Sequence, residues 1–131
     1  MTALLIAAAL QILLVAANPV LVKMLQMWRE HDRLSPIVGQ IHRVHHAYIA
    51  GQLLVFAVVS ILFPGELASG AGLGRFLAVV MTLCWGIRLG VQRLYYDPVY
   101  LRSHRWGDVF FSAIFAALFG IYAAAAAGGL R

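Results

Sequence analysis

The chain reads as an all-α integral membrane protein, a bundle of four transmembrane helices with both termini on the same, non-cytoplasmic side. Three observations predict this. Hydrophobic residues make up 63% of the sequence and charged residues 11%, against about 45–50% and about 25% in soluble domains. The apolar residues fall into four segments of helical length, at about 2–28, 36–63, 72–96 and 103–127. The basic residues collect at one set of segment ends. At 131 residues there is room for a single domain, 1–131, and a chain this small has no means of hiding so much apolar surface from water.

The first segment carries no charge from Thr2 to Val22, long enough for a hydrocarbon core that needs about 20 residues. It has no basic leader, and its apolar run exceeds the 7–15 residues usual in a signal peptide, so it reads as a retained span. Gln11 and Asn18 share one of its faces and are expected to find partners on neighbouring helices. A polar exit follows, with Lys23, Arg29, Glu30, His31, Asp32 and Arg33, and with Trp28 at interface height.

Ser35-Pro36 marks the start of the second helix, an N-cap followed by proline at the first helical position. The helix runs to Phe63 and stops at Pro64-Gly65. That length is about 42 Å, more than a bilayer core of about 30 Å. Its first turns therefore stand among the head groups. Deeper in, His45, Tyr48, Gln52 and Ser60 read as one polar stripe on an apolar helix. Residues 66–74 read as a flexible loop.

The third segment holds only 12 uncharged residues between Arg75 and Arg88, about 18 Å of helix. One arginine must enter the membrane zone, and Arg88 is the one that cannot easily snorkel out. Gln92 follows it on the same face. Asp97-Pro98 caps a turn, and Val109–Ala127 then offers 19 uncharged residues, a clear fourth span.

Four spans place residues 23–46 and 88–108 on one side. That side holds eight of the ten basic residues, with only Arg75 and Arg131 opposite. The positive-inside rule makes it cytoplasmic, in what reads as a bacterial inner membrane. All five histidines, and every acid except Glu66, share that face. Basic residues flanking apolar spans explain the net charge of +5 through topology and anionic head groups, so nucleic acid is not expected as a partner. Membrane lipid is, along with a homo-oligomer or a larger membrane complex. Cys84, the single cysteine, excludes an internal disulfide.

Three constellations carry the functional expectations. His42 with His45 and His46 stands at i,i+3 and i,i+4, spacings that present imidazoles on one helix face. With His104 they form a candidate site for a transition metal or haem, oriented by Asp97 or Asp108 from behind. Arg88 is expected first to form a structural, bundle-locking ion pair with Asp108; the alternative is a candidate anion site made by Arg88 with Arg43 and Arg93. Arg93 and Asp97, at i,i+4, are a further candidate pair, and the neighbouring tyrosines read as an aromatic belt. Gly86-x-x-x-Gly90 and the edge Ser112, Ala116, Gly120 have the small-residue spacing of helix packing.

The string His42-x-x-His45-His46 resembles one histidine box of membrane di-iron desaturases and hydroxylases, whose companion boxes are absent. Arg43-Val44-His45-His46 resembles the start of the second helix in membrane-associated glutathione and eicosanoid transferases. Ala47 and Ala50 stand where that family has asparagine and glutamate. Three functions are therefore expected, in this order. The first is a metal- or haem-binding redox, oxygenase or electron-transfer component acting on a lipophilic partner. The second is a non-catalytic accessory subunit or homo-oligomer. The third is a small transferase that binds an anionic cosubstrate through arginines.

Overall fold

The computed structural model describes residues 1–130, apart from the side chain of His31. Among these residues are seven helices and no strand: α1 (Thr2–Met24), α2 (Met27–His31), α3 (Pro36–Leu62), α4 (Pro64–Ala68), α5 (Gly72–Leu94), α6 (Pro98–Ser103) and α7 (Arg105–Ala126). Four of them, α1, α3, α5 and α7, are long and apolar enough to cross a membrane. At 22–27 residues each they are about 33–41 Å long, against a core of about 30 Å.

Local chemistry explains the breaks. The first helix ends earlier than its apolar pattern suggests, because Gln26 adopts the left-handed conformation (φ 50). The chain turns there into the short α2, and Gln26 Oε1 accepts from Arg29 Nη1 at 3.2 Å. Pro36 occupies the first turn of α3 as expected, although Ser35 makes no side-chain cap. The helix stops at Leu62, since Pro64 restricts the residue before it. The last turn of α7 closes in a Schellman motif: Gly128 (φ 73) donates to Ala125 and Gly129 donates to Ala124.

The segment 66–74 is not the flexible loop its glycines suggested. Residues 64–68 form α4, which buries Leu67 and Ala68 and packs on α5. A Cβ at Gly74 would fall 1.9 Å from the Glu66 carbonyl oxygen, so only glycine lets α5 start against α4. Gly70 (φ 65) similarly lies against Gly128.

The four long helices pack in the order α3, α1, α7, α5. Two hairpins, α1 with α3 and α5 with α7, are thus joined along α1 and α7, leaving α3 and α5 on the flanks. The core is built from Leu4, Ala7 and Leu14 of α1, Ala78, Met81 and Trp85 of α5, and Phe115, Leu118 and Tyr122 of α7. These recur at three- and four-residue steps, as one helix face requires. Where lipid is the solvent, close packing and interhelical hydrogen bonds hold such a core, because exclusion of apolar surface from water no longer separates helix from surroundings.

Candidate functional site

Polar groups inside the helix packing fall into three clusters, each at a different junction. At the α1–α3 junction, His46 Nε2 donates to Asn18 Oδ1, and the Trp28 ring meets the imidazole edge-on at 6.2 Å. At the α1–α7–α3 junction, Gln11 Nε2 donates to Tyr122 Oη at 2.9 Å, and Tyr122 Oη lies 2.6 Å from Ser60 Oγ. Ser60 donates to the Phe56 carbonyl, so the tyrosine proton must point to Ser60 and the amide proton to the tyrosine oxygen. All three side chains are fully buried. Gln11 and Asn18 therefore do what their position in an apolar helix demanded, but on two different neighbours.

The third cluster lies on the α5–α7 seam. Trp85 stacks on Phe115 with ring centroids 5.8 Å apart. Seven residues further along α5, Gln92 meets Asp108, seven residues back along α7, with Nε2 3.0 Å from Oδ1. Asp108 Oδ2 is taken by Arg93 Nη1 at 3.1 Å, and Ser112 Oγ donates to Oδ1 at 3.3 Å. The carboxylate is thus filled by three donors.

This arrangement overturns the expected Arg88–Asp108 ion pair. Arg88 stands one turn deeper in the same seam, and its charge is left with aromatic neighbours. The guanidinium carbon lies 4.8 Å from the Phe115 ring centre and 5.3 Å from that of Tyr96. Arg88 Nη1 is buried without a hydrogen-bond partner, and so is the indole N–H of Trp85. Trp85, three residues before Arg88 on the same face, escaped notice in the sequence because a tryptophan in an apolar segment reads simply as core. Arg93, expected to pair with Asp97, goes to Asp108 instead; Asp97 caps α6 by accepting from Val99 N at 2.9 Å.

The predicted metal ligands are dispersed. His45 Nδ1 donates to the Ile41 carbonyl at 2.9 Å and the ring is exposed. His46 turns inward to Asn18. His42 lines an open notch of about 410 Å³ with Glu30 and Arg33. His104 caps the α6–α7 corner: it stacks on Tyr100 at 4.2 Å, and its Nδ1 lies 2.9 Å from Ser103 Oγ and 3.2 Å from the Tyr100 carbonyl. The side chain of His31, the remaining histidine at this end, lies outside the described residues. Among the described residues no group of three or more His, Cys, Asp and Glu side chains is placed to hold a metal ion. The physical reason is the packing order: His42, His45 and His46 ride on the α3 flank, while Asp97, His104 and Asp108 belong to the other hairpin.

The small residues divide as well. A Cβ at Gly86 would meet the Phe119 ring at 3.1 Å, whereas one at Gly90 or Gly120 would meet nothing within 4 Å. Ser112 turns into the seam and Ala116 faces outward. The two motifs serve contact between α5 and α7 at Gly86 and Ser112, and leave Gly90, Ala116 and Gly120 open.

Compared with known proteins, the chain matches no family model, no curated protein and no solved structure.

Proposed function

We propose that this protein is a membrane-embedded binding protein for an anionic amphiphile, whose acidic head group is taken by Arg88 at the α2/α6 end of the α5–α7 hairpin. The observation that carries the reading is the buried, unbonded Arg88 Nη1 beside a carboxylate already occupied by Arg93 and Gln92. A charged side chain costs about 2.5–3.5 kcal/mol at the bilayer centre on insertion scales, and Arg88, nearer one end of its span, bears part of that cost. Two aromatic contacts return about 0.5–2 kcal/mol each, but they provide no acceptor for the guanidinium N–H groups. A phosphate or carboxylate supplies both charge and acceptors in the fork geometry that arginine favours.

Depth supports the same reading. Arg88 lies six residues before the end of α5, about 9 Å of helix, and leans toward Tyr96 beyond that end. An amphiphile with its chain in the leaflet brings its head group to this level. Eight of ten basic residues flank this end of the bundle, so we assign the site to the cytoplasmic leaflet. Arg43 is exposed at the same end and adds to the field that draws anions there, while Arg93 acts indirectly by occupying Asp108. This reading keeps the anion-binding element of the transferase expectation and assigns no reaction.

The experiment compares lipids retained by protein reconstituted in mixed phosphatidylglycerol and phosphatidylcholine, read by mass spectrometry. Wild-type protein is expected to hold phosphatidylglycerol several-fold in excess, and Arg88→Gln to lose that preference. Equal retention of the two lipids by wild-type protein would remove the reading.

A further inference from the structure

We infer that a second copy of this chain docks along the outward face of α3, with the side-chain amide of Gln52 meeting the same amide of the other copy. The inference stands on α3 alone and goes beyond the Arg88 site, on the opposite flank.

Helix α3 buries the smallest share of its span of the four. Its inward side holds His46 against Asn18 and buries Ala57 and Ser60. On the opposite side His45, Tyr48, Gln52 and Val55 are exposed, with Tyr48 at 75%. Gln52 lies ten residues before Leu62, where α3 ends. That is about 15 Å, the midplane of a hydrocarbon core about 30 Å thick. A carboxamide facing lipid there has no water to bond, and an unsatisfied amide in such a medium costs a few kcal/mol.

Other polar side chains in the middle turns of the spans have partners inside the chain. Gln11, Ser60 and Tyr122 satisfy one another, and Thr82 donates to the Ala78 carbonyl. Gln52 makes no such bond among the described residues. Copies inserted with one topology present equal residues at equal depth, so the amide a second copy brings to this level is Gln52 itself. A carboxamide both donates and accepts. Two of them related by a two-fold axis along the membrane normal bond reciprocally, as an isologous contact requires. Gly51 alongside faces nothing within the chain, since a Cβ there would meet nothing within 4 Å, and a small residue at that position lets a neighbouring helix approach closely.

The test is association of the full chain in phosphatidylcholine liposomes, followed by single-molecule photobleaching across a dilution series. Wild-type protein is expected to dimerise, and Gln52→Leu to associate about tenfold more weakly, the scale of one interhelical amide bond. A lipid-facing leucine leaves the fold intact, which the melting temperature checks. In a Cys84→Ser background, oxidant should link chains through Gln52→Cys or Tyr48→Cys and not through Leu83→Cys, on the exposed side of α5. A monomer at every dilution, equal association of Gln52→Leu, or cross-linking centred on residue 83 would each overturn the inference.

Discussion

Arg93 Nη1 lies 3.1 Å from Asp108 Oδ2, and that pairing decides the state of Arg88. Had Asp108 paired inward, the α5–α7 seam would be electrostatically closed and Arg88 would be a structural lock. Instead the more exposed arginine holds the acid, and the deeper one faces Phe115 and Tyr96 with an unbonded Nη1. A charge so placed is a cost to the isolated fold.

The first prediction follows from that cost. Arg88→Met keeps the volume in the seam and removes an unpaired charge, so it should raise the unfolding free energy in neutral detergent by about 1–3 kcal/mol. The same variant should show no preference for anionic lipid. Melting temperature and lipid retention measured on one preparation check the pair of outcomes; a variant less stable than wild type would mean that Arg88 is satisfied in a way the seam does not reveal.

Asp108→Asn should act in the opposite direction. It strips the ion pair with Arg93 and weakens the bonds from Gln92 and Ser112. Because Arg93 is half exposed, we expect a measurable loss of stability that stays below that of a fully buried pair. Asp97→Asn, which still accepts from Val99 N at the start of α6, should change stability by less than about 0.5 kcal/mol. Denaturation midpoints in one detergent compare the two.

How much of this was legible beforehand depends on the kind of signal. Four spans follow from apolar length, and the ends of α3 from Ser35-Pro36 and Phe63-Pro64, because those are local properties of the chain. The partners of Gln11 and Asn18 were anticipated as a class, since a buried amide must bond to something, but Tyr122 and His46 were not identifiable, as spacing within one helix says nothing about its neighbour. The histidine expectation meets the same limit: among the described residues no three such side chains come together. His42, His45, His46 and His104 share an end of the molecule, yet sharing an end is not proximity when α1 stands between α3 and α7. The stripe His45, Tyr48, Gln52, Ser60 was read as one face, but four-residue steps drift around a helix of 3.6 residues per turn. By Ser60 the drift has carried the stripe inward to Tyr122.

His46 and His45, adjacent in sequence, should respond unequally to substitution. His46→Ala removes the bond to Asn18 and the edge contact with Trp28, so it should loosen the α1–α3 hairpin by about 0.6–2 kcal/mol. His45→Ala loses a bond within an exposed turn and should fall within about 0.5 kcal/mol of wild type. A double-mutant cycle of His46→Ala with Asn18→Ala should return a clear coupling energy, smaller than the full His46 loss by the share of the Trp28 contact; additive effects would show that the two side chains do not bond.

The Gln11–Tyr122–Ser60 chain allows the sharpest test of packing, because its protons have one consistent direction. Tyr122→Phe takes away the acceptor of Gln11 Nε2 and the donor to Ser60 Oγ together. Gln11 Oε1 is already unbonded, so the variant buries an amide with neither end satisfied, and we expect a loss of about 1–3 kcal/mol. Ser60→Ala should cost less, since Tyr122 loses an acceptor while keeping the bond from Gln11. Adding Gln11→Leu to Tyr122→Phe replaces both polar partners by apolar ones of similar size, a change that can be nearly neutral. The double variant should therefore recover most of the stability lost in Tyr122→Phe. Unfolding free energies of the three variants decide the matter: if the double variant is less stable than Tyr122→Phe alone, Gln11 is bonded elsewhere and the three helices are not joined through this tyrosine.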